Sequence, residues 1–237
     1  MALLPNLVAY WAMEETSGSR LDATGRGHDF TVTGGVVSAT GKVGTCMETG
    51  DGATRYLTCA NHADLTPGNT DFTWACWLYF FSTNTNTDLL GKWAPSGQLE
   101  YNLALNASQY FTFYVSSTGS DYYPVTATSL GIPSLNTWYL MVAWHDSVGD
   151  TINLQMNNGT VFSVAHTLGV YQSTTALLLG HSLFGYGLFG RADEVGLWRR
   201  VLSSTDRSAL WNGGAGVTYP FGESVVTTTS RMCALIV

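Results

Sequence analysis

Charge is scarce in this 237-residue chain: ten Lys and Arg stand against seventeen Asp and Glu, a formal net charge of −7. Scattered cations with no cluster longer than Arg199-Arg200 cannot build the basic stripe that neutralises phosphates, which excludes nucleic acid as a partner. The same shortage argues against anionic membrane surfaces. No apolar run approaches the roughly 20 residues that span a bilayer. Met1-Ala2-Leu3-Leu4-Pro5 lacks the basic start and long apolar stretch of a secretory leader, so synthesis in the cytoplasm is expected. Cysteine is sparse too. Cys46, Cys59, Cys76 and Cys233 show no Cys-x-x-Cys spacing and no neighbouring His, which excludes the common zinc modules. Cys59 and Cys76 lie in apolar stretches and read as small buried hydrophobes, with a disulfide left open.

Aromatics are plentiful, with eight Trp, twelve Tyr and ten Phe, enough to fill one large core. With so little charge, the surface must be built from Thr, Ser, Asn and Gly, which suit sheets and turns better than helices. The dominant hydrophobic period is two. Between Phe72 and Phe81, Phe72, Trp74, Cys76, Leu78 and Phe80 share one face, while Trp77, Tyr79 and Phe81 share the other. A strand apolar on both sides is central and covered on both faces. From Gln109 to Val115, Phe111, Phe113 and Val115 point in and Thr112 and Tyr114 out. Further strands are expected at Trp138–Trp144, Leu177–Leu179, Leu188–Phe189 and Asp193–Trp198. Residues 151–164 read as a hairpin turning at Asn157-Asn158-Gly159. One short helix is expected, capped by Ser203 with Asp206 three residues on and stopped by Asn212-Gly213-Gly214. Residues 1–221 form one domain. Residues 222–237 form an apolar tail carrying Val225, Val226, Leu235, Ile236 and Val237, which packs back or pairs with a neighbour's sheet edge.

Several segments, taken in order, carry a family pattern. They are Leu7-Val8-Ala9-Tyr10-Trp11, the Asp22–Asp29 loop, Gly41-Lys42-Val43-Gly44, Phe72–Trp77, Leu90-Gly91-Lys92 and Trp138–Val142. The strongest is Phe189-Gly190-Arg191-Ala192-Asp193-Glu194-Val195-Gly196-Leu197-Trp198. Over roughly residues 6 to 214 the chain resembles laminin-G-like jelly-roll domains of the concanavalin-A-like superfamily. The resemblance implies an all-β fold, a jelly-roll sandwich of two antiparallel sheets with one short helix. It leaves function open, since lectins, adhesion modules, glycosidases and virion components share that fold.

The resemblance also implies a structural calcium between an early loop and the closing strand, for which Asp22 and Asp193 are the expected ligands. Gly25 and Gly27 would let the Asp22 loop fold tightly around such an ion. The alternative is that Asp22 bonds its own loop while Asp193 pairs with Arg191 or caps backbone amides. Catalysis has little to stand on. Retaining glycosidases need two carboxylates about 5 Å apart, whereas Glu14-Glu15 and Asp193-Glu194 are adjacent and in a strand would face opposite sides. The five histidines are far apart and belong to no hydrolase motif. Trp93, Tyr122 and Tyr123, with Tyr171 and Tyr186 behind them, are candidates for sugar stacking or for a protein interface. Two main readings follow. The first is a non-catalytic subunit of a larger assembly, such as a virus or phage particle, with protein partners or self-association through the tail. The second is a soluble lectin-like protein that binds glycans; a polysaccharide-active enzyme is a third.

Overall fold

A computed structural model of the chain describes residues 3–50, 54–83 and 86–222. Among these residues the strands, numbered in chain order, form two antiparallel sheets. The first holds β1 (Leu7–Trp11), β3 (Val37–Thr40), β4 (Thr45–Glu48) and β6 (Phe72–Phe80), with β11 (Trp138–Asp146), β12 (Thr151–Met156), β13 (Val161–Ala165) and β15 (Gly190–Trp198). Its order is β13-β12-β11-β6-β15-β4-β3, with β1 also paired to β15. The second holds β2 (Thr31–Thr33), β5 (Tyr56–Cys59), β7 (Thr87–Ala94) and β8 (Gln98–Leu105), with β9 (Phe111–Val115), β10 (Tyr123–Thr126) and β14 (Leu177–Leu179). Its order is β10-β9-β8-β7-β14-β5-β2. One α-helix, α1 (Ser204–Trp211), follows the last strand.

The alternation of β6 decides where the cores lie. Phe72, Trp74, Cys76, Leu78 and Phe80 enter the space between the sheets, joined from the second sheet by Leu90, Tyr101, Leu103, Phe111 and Phe113. Ala75 and Trp77, on the opposite face, enter a second apolar layer with Leu3, Tyr10, Leu140, Trp144, Trp198, Leu210 and Phe221. Trp77 stacks on Trp211 of α1 at 5.3 Å. Burying a large apolar side chain contributes about 1.5–3 kcal/mol, so the outer layer adds stability much as the inner one does. The helix starts as its sequence dictates. Ser203 and Asp206 form a reciprocal capping box, and Asn212 closes the helix in the left-handed conformation. Cys46, Cys59 and Cys76 are free and buried, with burial pushing each thiol up, Cys76 to about 12.

Three local expectations need correction. Leu188 and Phe189 form no strand of their own. Residues 181–187 fold back through a single bridge, and Leu188 donates its amide to Gly180, leaving no length for a ladder. In the β12–β13 hairpin the residues with positive φ are Asn157 and Asn158 rather than the Asn-Gly pair, and Gly159 donates back to Met156. Strict alternation also fails at Asp193-Glu194. A register shift between Asp193 and Gly196, with Glu194 at φ 48°, puts both carboxylates on the side of the outer layer instead of opposite sides. Glu194 accepts from the Tyr10 hydroxyl at 2.6 Å, and Asp193 from the amides of Lys42 and Val43 at 2.7 and 3.0 Å. Burial pushes these carboxyls up to about 8 and about 7, respectively. The tail residues Val225, Val226, Leu235, Ile236 and Val237 lie outside the described residues.

Candidate functional site

The outer face of the second sheet carries a groove of about 260 Å³. Its floor comes from β7, β8 and β9, where alternation turns Asn102, Ala104 and Tyr114 away from the core that Tyr101, Leu103 and Phe113 fill. Two loops raise its walls. Tyr122 arrives from the segment before β10, and Phe184 and Tyr186 from the fold-back at 181–187. Trp93 and Tyr114 meet at 5.8 Å between ring centroids, and Tyr114 meets Tyr122 edge-on at 5.9 Å. Tyr122 and Tyr186 are 61% and 43% exposed, so aromatic faces line the mouth and are wet.

Under the rings lies a polar pair. Asp88 and Asn102 are both buried, and the Asn102 amide nitrogen donates to Asp88. The Ser182 hydroxyl donates to the other Asp88 oxygen. Burial raises the Asp88 carboxyl, opposed by those two hydrogen bonds and by His181. The Asn102 Oδ1 is buried with no protein partner. A buried carbonyl without a donor costs about 1–3 kcal/mol, and this one lines the groove. Gly91, opposite Asn102 in the ladder, leaves the space: a Cβ there would stand 2.8 Å from that same oxygen.

Next to the groove, the face is closed over a buried ion pair. Lys92 Nζ sits 2.9 Å from Glu100, and both side chains are fully buried. Asn61, Thr66 and the Ser173 carbonyl complete the Lys92 shell, while the Ser173 amide and hydroxyl bind Glu100. Burial lowers the Lys92 ammonium and raises the Glu100 carboxyl, each opposed by its partner.

Of the five aromatics singled out in the sequence, Trp93, Tyr122 and Tyr186 converge on the groove. Tyr123 does not; it packs against the inner core with its ring 4.9 Å from His166. Nor does Tyr171, which pairs with Ser116 through its backbone and lies against Gly119. Among the described residues Asp22 and Asp193 share no hydrogen-bonding partner. Asp22 accepts from the Tyr10 amide, from Thr24 and from His28, within and beside its own loop. Asp193 holds the Lys42 and Val43 amides. Sequence reasoning missed Asp88, Asn102 and Tyr114 as groove residues. The usable signal for Asn102 was the alternation Leu99, Tyr101, Leu103, Leu105, which leaves Glu100 and Asn102 as the odd polar members of a buried strand.

A family profile described as the concanavalin A-like lectin/glucanases superfamily matches residues 51–206. Among curated proteins nothing matches the chain in sequence. Many solved structures match it in shape. The binding domain of a paraclostridial mosquitocidal protein superposes with a TM-score of 0.73 at 15% identity, over 88% of this chain and 52% of that one. Domain 4 of an extracellular arabinanase from Geobacillus stearothermophilus, solved with arabinotriose, gives 0.65 at 16% identity, over 85% of this chain and 96% of that one. The binding domain of a botulinum neurotoxin, solved with rat synaptotagmin II, gives 0.67 at 9% identity, over 88% and 51%. The chain thus spans about half the length of the two toxin binding domains it matches. Among the described residues no helix is long and apolar enough to cross a membrane.

Proposed function

Because this chain belongs to the concanavalin A-like lectin/glucanases superfamily, we propose that it is a non-catalytic, lectin-like carbohydrate-binding protein whose ligand occupies the Trp93–Tyr114–Tyr122 groove. The observation that carries this reading is the unpartnered Asn102 Oδ1, buried beside Asp88 and framed by aromatic rings. A sugar ring presents an apolar face and a rim of hydroxyls. The face suits an indole or phenol, and one hydroxyl supplies the donor that Asn102 lacks. Among the described residues no Lys or Arg lines the groove, and Asp88 lies under it, so neutral sugars are favoured over acidic ones. Pockets for drug-sized ligands run about 300–1,000 Å³. This smaller groove therefore takes a terminal sugar or one unit of a chain.

The comparisons lend support, since one solved relative holds arabinotriose and two others are toxin binding domains. The assembly-subunit reading rests on the tail, which lies outside the described residues, and so it stands second. A virion or other extracellular location stays part of that second reading.

The test is a neutral-glycan array, run with calcium and with a chelator, followed by calorimetry on any hit. Trp93→Ala and Asn102→Ala should each weaken binding at least about tenfold, or ~1.4 kcal/mol, while Tyr123→Ala, outside the groove, should leave it unchanged. Chelation should not affect binding, because the carboxylates of Asp22 and Asp193 are already held by protein donors. If no neutral glycan binds under either condition, the reading fails.

A further inference from the structure

The segment whose Asn61 and Thr66 hold Lys92 also carries His62 and Asp64, and the fold lays both against His28 beside the Asp22 loop. His28 Nε2 lies 3.3 Å from His62 Nδ1 and 3.4 Å from Asp64 Oδ2, and His62 Nδ1 lies 3.6 Å from that same oxygen. These edges are long for hydrogen bonds, which centre near ~2.9–3.0 Å. They are right for donors sharing an ion, because ligands ~2.0–2.1 Å from a tetrahedral zinc stand roughly 3.3–3.4 Å apart.

The protons point the same way. His28 Nδ1 lies 2.9 Å from Asp22 Oδ2, and in the neutral tautomer that donates there Nε2 presents a lone pair. His62 Nδ1 accepts the Asp64 amide at 3.1 Å and is likewise unprotonated. In that tautomer His28 Nε2, His62 Nδ1 and an Asp64 carboxylate oxygen converge, the His62 lone pair already taking the Asp64 amide, and a cation between them would draw all three together.

We propose that His28 Nε2, His62 Nδ1 and Asp64 Oδ2 bind a transition-metal ion of the Zn²⁺ class, with Asp22 as the positioning carboxylate behind His28. Two imidazoles and one carboxylate select zinc, nickel or copper over calcium and magnesium. Asp22 fixes the tautomer and orientation of His28, as outer carboxylates do for metal-bound histidines. His28 is the buried floor of the site, while the His62 and Asp64 side chains are 55% and 45% exposed, so an ion enters from solvent and keeps water on its open side. The ion and the Asp64 amide contend for one lone pair of His62, whose ring packs edge-on against His28 at 4.8 Å. This site is separate from the groove and stands whether or not the groove takes a sugar.

The test uses tag-free protein, stripped with a chelator, freed of it and titrated with Zn²⁺ and separately with Ca²⁺ by calorimetry. One equivalent of Zn²⁺ should bind at pH 7.5 with no Ca²⁺ binding. Affinity should fall at least tenfold at pH 5.5, where protons compete for the imidazoles. His28 is buried and its removal threatens the fold, so the deciding variants are His62→Ala and Asp64→Asn at the surface. Each should weaken Zn²⁺ at least tenfold while the metal-free protein stays folded, His62→Ala losing only the cap on the Asp64 amide. Asp22→Asn should weaken it about 10–100-fold and alter the visible absorption of bound Co²⁺, which a merely structural role would leave alone. Absence of Zn²⁺ binding, affinity that survives His62→Ala, or equal binding of Ca²⁺ overturns the proposal; the first outcome leaves a proton as the bridging cation.

Discussion

Lys92 and Glu100 illustrate what a single side chain can cost. Each lies in a strand of the second sheet, turned away from the core yet sealed beneath residues 61–66 and Ser173. Ions taken from water lose several kcal/mol of hydration, and the pair recovers this through its mutual attraction and its hydroxyl, amide and carbonyl partners. Removing one member strands the other. Lys92→Met is expected to destabilise the protein by about 3–5 kcal/mol, and Lys92→Met with Glu100→Leu by less than Lys92→Met alone. Urea denaturation of the three proteins decides between this account and one in which the pair contributes little.

Between elements, the β7–β8 ladder joins stability to the groove. Gly91 is opposite Asn102, and a Cβ at Gly91 would stand 2.6 Å from the Tyr101 carbonyl and 2.9 Å from the Asn102 Cα. Backbone atoms on a paired strand cannot step aside as a flexible side chain does. Gly91→Ala should therefore cost about 1–3 kcal/mol and reduce sugar binding with it, measured by denaturation and by titration with a glycan identified on the array. Elements were also what the sequence made most legible. The two-faced run Phe72–Phe80, the capped helix after Ser203 and the hairpin around Asn157 each rest on local periodicity or local turn chemistry, and each is present. Trp93, Tyr122 and Tyr186 were legible as polar-tipped or loop-borne aromatics. Asp88, Asn102 and the His28–His62–Asp64 cluster were not, because strand pairing and loop docking bring them together across the chain. The alternation argument failed at Asp193-Glu194 because a bulge there depends on how β15 meets β6.

At the scale of the molecule, the outer apolar layer closes the fold. Tyr10 touches Tyr219 and Phe221 with centroids 5.9 and 5.0 Å away, and Phe221 stacks on Trp198 at 6.3 Å. A chain ending at Gly222 retains all of these contacts and is the reference. A chain ending at Val217 loses two aromatic side chains from this layer. Its loss should be about 3–5 kcal/mol, on the order of 10 °C in melting temperature, read by calorimetry. Equal melting of the two truncations would show that the outer layer contributes no stability.

Trp198 donates its indole N–H to the Leu3 carbonyl, a residue 195 positions earlier, and β1 pairs with β15 over a similar separation. During synthesis, the first strand therefore waits until β15 has been made before its partner exists. Until then Tyr10 and Trp11 have no strand beside them, and the central ladder is unmade. Loop closure over such spans slows β-sandwich folding to on the order of milliseconds to seconds. For this protein translation sets a limit of its own, since β1 cannot pair until β15 has left the ribosome.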